Sequence, residues 1–306
     1  MPRTARIKIS NGVYHVIVRS IKEIKLFRNN LDKKRYLNLM NKYKKIFLFN
    51  VYSFCLMNTH AHFIINSNGA DISKFMHNIN QCYARYYNKK YDRHGPVFAE
   101  RFKSIIIKDD KYLLCLSAYI HNNPKDIFKY KNNVDKYKFS SFKDYISNKS
   151  NGYLNIDTHF ILKKFSLNIA LSKKLYENFV YSRIGLDPKN NSNFNDFEQL
   201  NIKTEYRSEL KPIIRNISPN KIIDFTSNYL KINSNYINIK YNRKLTNFRC
   251  LCALLMRSLC NFSYKQICHT LGNITCSHIS NLCNKGFYLM ENKYKNIIFD
   301  FINSYS

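Results

Sequence analysis

Acidic residues are scarce in this chain: 20 Asp and Glu stand against 50 Lys and Arg, a formal net charge of +30 over 306 residues. A chain this basic repels itself and attracts polyanions. A genome biased toward Lys, Asn, Ile and Tyr would explain part of the excess of bases but not the shortage of acids. Long apolar runs are missing too. No stretch reaches about 18 consecutive apolar residues, so no membrane-spanning helix is expected. The basic residues are spread along the chain and not gathered on one amphipathic helix, which favours nucleic acid over a membrane surface as the polyanion. Met1–Ser10 is basic but lacks an apolar core, so it does not read as a secretory signal, and the expected location is the cytoplasm. No CxxC pair occurs among the nine cysteines, which argues against a zinc ribbon. Six of the nine lie between Cys250 and Cys283, several among apolar neighbours. They read as reduced thiols acting as small core hydrophobes.

What is present is enough apolar material for a core, 45% of the residues. Val13–Val18 is a β-rich run behind the turn signal Asn11-Gly12. Leu37, Met40 and Tyr43 recur at helical spacing and predict a helix over Asp32–Tyr43. Phe47–Leu56 and His60–Ile65 read as strands joined by Met57-Asn58-Thr59, short enough for an antiparallel hairpin. Ile72, Phe75, Met76, Ile79, Cys82 and Tyr83 share one face of a helix over Asp71–Tyr91, with Asp71 placed to cap it. Gly95-Pro96 breaks the chain. Val97–Ile107 then reads as a strand and Asp109 to about Asn122 as a helix stopped by Pro124. The order strand, helix, strand, strand, helix, strand, helix predicts a ferredoxin-like α+β layer, a mostly antiparallel sheet carrying helices on one side. That layer is expected to occupy residues 1–150. Residues 151–215 read as a helical extension with an Asn-, Asp- and Ser-rich linker near 186–200, and 216–306 as an all-α domain.

Side chains alternate faces on a strand, so His60 and His62 point the same way with small Ala61 between them. Two residues of strand separate the imidazoles by about 7 Å along the chain, close enough to converge on one cation. Imidazole suits softer ions than magnesium. The pair therefore implies manganese, or magnesium with oxygen ligands from elsewhere, acting to polarise a phosphate oxygen.

An ordered series of blocks then carries a resemblance. These are Met1-Pro-Arg-Thr-Ala-Arg6, Tyr14-His-Val-Ile-Val-Arg19 and Leu26-Phe27, His60-Ala-His62, Tyr83–Tyr91 with Gly95–Phe98 and Arg101–Ser104, Tyr112 to Pro124, and Tyr137–Phe142 with Tyr145. Over residues 1 to 145 the chain resembles the single-tyrosine HUH transposases, insertion-sequence-200-like, and in particular the REP-associated tyrosine transposase group. The resemblance implies an enzyme that recognises hairpins in single-stranded DNA and cuts and rejoins the strand, with a 5′-phosphotyrosine link and a free 3′-hydroxyl as its intermediate. It places the nucleophile at Tyr119 and the metal-binding histidines at His60 and His62. A tyrosine hydroxyl titrates near 10, so attack needs a nearby cation or in-line geometry. Asn123, one helical turn beyond Tyr119, is the candidate third ligand. Pro124 is expected to hold Asn123 out of α geometry. Ala99 and Lys125 depart from the family's usual polar and apolar residues at those positions.

Cations and rings interleave on the second helix and beyond it. Arg85, Tyr87, Lys89, Lys90, Arg93, Arg101 and Lys103 are candidates for holding phosphates and stacking on unpaired bases, with Arg3 and Arg6 as a basic arm. Near the end, Asn247–Cys260, a stretch capped by Ser263, the Gly272-Asn273 turn and Thr275–Asn284 read as helix-turn-helix. Ser277, His278, Asn281 and Lys285 are its candidate contacts to duplex DNA. This segment resembles the DNA-binding domain of bacterial replication initiators, without that domain's acidic-plus-histidine signature around Gly272–Ser277. A non-catalytic DNA-binding regulator remains the alternative, and homodimerisation stays open. A zinc hydrolase lacks the further His and carboxylate ligands it would need.

Overall fold

The computed structural model describes residues 9, 12–148, 150, 152–186, 213, 215–239, 242, 245–272 and 274–304. Arg3, Arg6 and nearly all of the predicted linker lie outside the described residues. The chain divides into two compact units, residues 1–45 with 49–211, and residues 46–48 with 212–306. No helix among the described residues is long and apolar enough to cross a membrane.

The first unit is built on four strands, β1 (Val13–Arg19), β2 (Asn50–Leu56), β3 (His60–Asn66) and β4 (Lys103–Ile106). Their order in the sheet is β2-β3-β1-β4, and every pairing is antiparallel. This is the ferredoxin-like arrangement in an α+β fold. Helix α1 (Asn30–Phe47) carries Asp32 in its first turn and Lys44 and Lys45 in its last, the charge order its dipole favours. Leu48 then takes φ 54° and turns the chain into β2. Helix α2 (Ile72–Lys90) begins at Asp71, whose carboxylate accepts the Ser73 amide at 2.9 Å. Helix α3 (Asp110–Asn122) begins in the same way, Asp109 accepting the Tyr112 amide at 2.6 Å.

Three expectations need correction. Helices cover both faces of the sheet and not one. Tyr36 of α1 stacks on Phe63, whereas Tyr119 of α3 meets His62 on the opposite face of the same strand. The strand expected over Val97–Ile107 is reduced to β4. Residues before it cross the end of β1 through a single bridge, Ser20 to Phe98, with Ala99, Glu100 and Arg101 exposed. Pro124 does not hold Asn123 extended, since Asn123 has φ −52° and ψ −37° and the chain runs on as a 3-10 turn over Asn123–Asp126. Proline sits in the first turn of that new helix, where its missing N–H needs no partner.

Beyond the sheet come α4 (Phe142–Ile146), α5 (His159–Leu162) and α6 (Ile169–Ser182). The last of these docks on α3. The Tyr176 hydroxyl meets His121 Nδ1 at 2.8 Å, and the Asn122 amide donates to the Val180 carbonyl at 2.7 Å.

The second unit is all helical among the described residues: α7 (Pro219–Leu230), α8 (Thr246–Leu259), α9 (Tyr264–Leu271), α10 (Cys276–Asn292) and α11 (Ile297–Asn303), with a 3-10 turn at Ser234–Asn238. Helix α8 is buried on every side from Phe248 to Leu259, as expected of a helix apolar on most faces. Gly286 sets the spacing of α10 against it, because a Cβ there would overlap the Cys250 carbonyl oxygen and crowd Leu254. Cys250, Cys252, Cys260 and Cys283 pack in this core, but Cys276 is exposed and Cys268 half-buried.

Candidate functional site

The site grows from the alternation of two neighbouring strands. On β3, His60, His62, Ile64 and Asn66 share one face. The register pairs Ile17 with His62 and Arg19 with His60, so His15, Ile17 and Arg19 of β1 lie on that same face. Lys103 of β4 pairs with Ile17 and joins them. The His60 and His62 rings lie 5.1 Å apart, nearly perpendicular. His62 is 2% exposed and His60 half-buried.

Tyr119 arrives from α3, its ring 5.8 Å from that of His62 and perpendicular to it. The far side of the helix is fixed by residues that cannot reach the site. His121 is fully buried, with Nε2 2.7 Å from the Ser141 hydroxyl and Nδ1 on Tyr176. Asn122 is tied to α6. Residues 119 and 123 therefore face the histidines because 121 and 122 are anchored elsewhere. That anchoring holds both side chains in one rigid presentation.

Asn123 donates its amide N–H to the Tyr119 carbonyl at 2.8 Å. That bond fixes the amide orientation and turns Oδ1 the other way. The side chain also hydrogen-bonds to His60. Burial pulls the His60 pKa below its ordinary value, the Asn123 bond opposes this, and the Arg19 charge adds to it. Burial lowers the His62 pKa strongly, with His15, His60 and Arg19 adding to the effect. Burial thus favours the neutral form of both imidazoles, the form in which a ring nitrogen can hold a metal. No group of three or more His, Cys, Asp or Glu forms a ready cluster among the described residues. The groups on this face that could be offered to a divalent cation are the imidazoles of His60 and His62 and the amide oxygen of Asn123.

The structure sorts the candidate DNA contacts. Arg85, Lys89, Arg101 and Lys103 are exposed, and Lys103 lies on the histidine face. Tyr87 is not a stacking surface. It is fully buried, its hydroxyl donating to the Lys25 carbonyl at 2.9 Å and accepting from Arg28 Nε at 3.0 Å. Lys90 is committed to an ion pair with Asp32. Asp32 is itself fully buried, accepting from Tyr86 at 3.1 Å, Tyr91 at 2.7 Å and the Arg28 amide at 2.9 Å. Burial raises its pKa, but these bonds outweigh burial and hold the carboxyl below its usual range. The interleaved rings and cations of α2 therefore serve in part to fasten α2 to α1 around one carboxylate. Arg93 is half-buried and donates to the Pro96 carbonyl at 2.8 Å.

Two residues of the site carry no motif that singles them out in the sequence, His15 and Arg19. Both sit in the β1 block, and only the pairing of β1 with β3 reveals which side they face. In the second unit Ser277, His278, Asn281 and Lys285 are all exposed on the first half of α10. Ser277, Asn281 and Lys285 are four residues apart and form one stripe.

The family model described as "Transposase IS200 like" matches residues 8–123. A solved structure of a REP-associated tyrosine transposase bound to a REP hairpin is similar over 52% of this chain and 93% of its own, at 18% identity and a TM-score of 0.42. Among curated proteins nothing matches the sequence.

Proposed function

We propose that this protein cuts and rejoins single-stranded DNA at hairpin sequences through a phosphotyrosine at Tyr119, a reading supported by the match of residues 8–123 to the family model described as "Transposase IS200 like". The observation that carries the reading is the approach of Tyr119 to His62 beside His60, with Asn123 of the same helix end hydrogen-bonded to His60. The Tyr119 phenolic oxygen forms the new bond to phosphorus and the bond from phosphorus to the 3′ oxygen breaks. The 3′ oxygen leaves with a proton as a free hydroxyl, and the 5′ side stays on the protein. The reverse attack by a 3′-hydroxyl restores the tyrosine and joins the new strand. His60, His62 and Asn123 would hold a divalent cation, magnesium or manganese, which when bound supplies a Lewis acid for the non-bridging phosphate oxygens. Arg19 and Lys103 bring positive charge to the same face, where they attract the DNA backbone and offset the charge on the phosphate undergoing attack. Arg85, Lys89 and Arg101 extend the basic surface.

The test is to incubate the protein with a single-stranded hairpin DNA and manganese and to look for a protein–DNA adduct on a denaturing gel. The wild type forms the adduct, chelation of the metal prevents it, and Tyr119→Phe abolishes it. An adduct with Tyr119→Phe removes Tyr119 as the nucleophile. Hairpin binding by the wild type with no adduct would establish a binding-only regulator instead.

The second unit has its own reading. The α10 stripe of Ser277, Asn281 and Lys285, exposed with His278 behind the short α9–α10 turn, suits insertion into the major groove of duplex DNA. Lys285→Ala should reduce the salt dependence of duplex binding by about one phosphate contact. An unchanged slope would leave α10 without this role.

A further inference from the structure

We propose that His15 is a positioning residue for the metal site, acting on His62 as a neutral hydrogen-bond acceptor. The inference rests on the reading of His62 as a metal ligand. His15 Nε2 lies 2.9 Å from His62 Nδ1, and both side chains are buried. The two rings stack at 5.2 Å with 24° between their planes.

Only one of the facing nitrogens carries the proton, and the two choices have opposite consequences. If His15 donated, His62 would carry its own proton on Nε2 and could offer no lone pair there. Its Nδ1 is occupied by His15 in either case. A His62 that ligates must therefore donate from Nδ1 to His15 Nε2 and use Nε2 for the cation. His15 must then be the tautomer protonated on Nδ1.

The partner behind a ligating histidine fixes its tautomer, its ring orientation and its basicity. A neutral imidazole in that place has a particular use in a site for an anion. A carboxylate behind His62 would offset part of the cation's charge and repel the phosphodiester. His15 supplies the acceptor without adding negative charge.

Manganese binding to the full chain, followed by electron paramagnetic resonance without DNA, measures the effect. His15→Phe keeps a buried ring but removes the acceptor, and the dissociation constant should rise about 10- to 100-fold. His15→Gln presents an amide oxygen at similar reach and should recover most of that loss. Unchanged binding in His15→Phe, or equal loss in both variants, overturns the proposal. A wild type that binds no manganese instead overturns the reading of the site itself. Should neither variant fold, the ring nitrogens of the wild type decide. Long-range proton–nitrogen correlation spectra should show the His62 proton on Nδ1, and a proton on Nε2 overturns the assignment.

Discussion

The two faces of β3 do opposite work. One carries Ala61, Phe63 and Ile65, all fully buried, with Phe63 stacked on Tyr36 and next to Phe54. The other carries His60 and His62 beneath Tyr119. One strand thus holds the fold together with its odd-numbered residues and presents the paired histidines with its even-numbered ones. A period of two lets seven residues serve both purposes without compromise, because a change on one face leaves the other in register.

The contrast is sharpest in paired substitutions across that strand. Phe63→Ala should cost about 3–5 kcal/mol of stability, the range for an emptied aromatic site in a core. His60→Ala should cost no more than about 1 kcal/mol, since the ring is half-buried and its loss leaves little cavity, yet it should abolish metal-dependent adduct formation. Urea unfolding of the two variants measures the difference. Similar losses of stability would mean that the faces are not divided in this way.

A smaller effect separates the site from the anchor behind it. Burial pushes the His121 pKa down to about 3, well below the unfolded value of about 6.5. The unfolded chain therefore takes up this proton first as the pH falls. The stability held by neutral His121 is complete above about pH 6.5 and is lost toward pH 3, at about 1.4 kcal/mol per unit. Unfolding free energies at pH 7 and pH 5 should differ by roughly 2 kcal/mol on this account. His121→Gln should flatten the slope, and an unchanged slope would show that another group causes it.

Some of this was legible before any coordinates. The pair His60 and His62 stands out because alternation alone puts both on one face. Asp71 and Asp109 announce their helices, because a cap is a local hydrogen bond. The polar rings of α2 were harder to read. Tyr86, Tyr91 and Lys90 have the same composition whether they meet a base or a buried carboxylate, and the carboxylate is Asp32, more than fifty residues earlier in the chain. Likewise nothing local shows that Tyr176 of α6 reaches back to hold His121.

By itself, the sequence determined the strand and helix order, the ferredoxin-like class, the shared face of His60 and His62 and the resemblance that singled out Tyr119. Each depends on short-range periodicity or on motifs read in chain order. Tertiary structure alone decided that α3 covers the face opposite α1 and α2. It also decided that His15 and Arg19 join the site from β1, and that Asp32 gathers the polar groups of α2. Those outcomes depend on which distant segments pair and pack, and many alternative pairings of the same elements are compatible with the same local pattern.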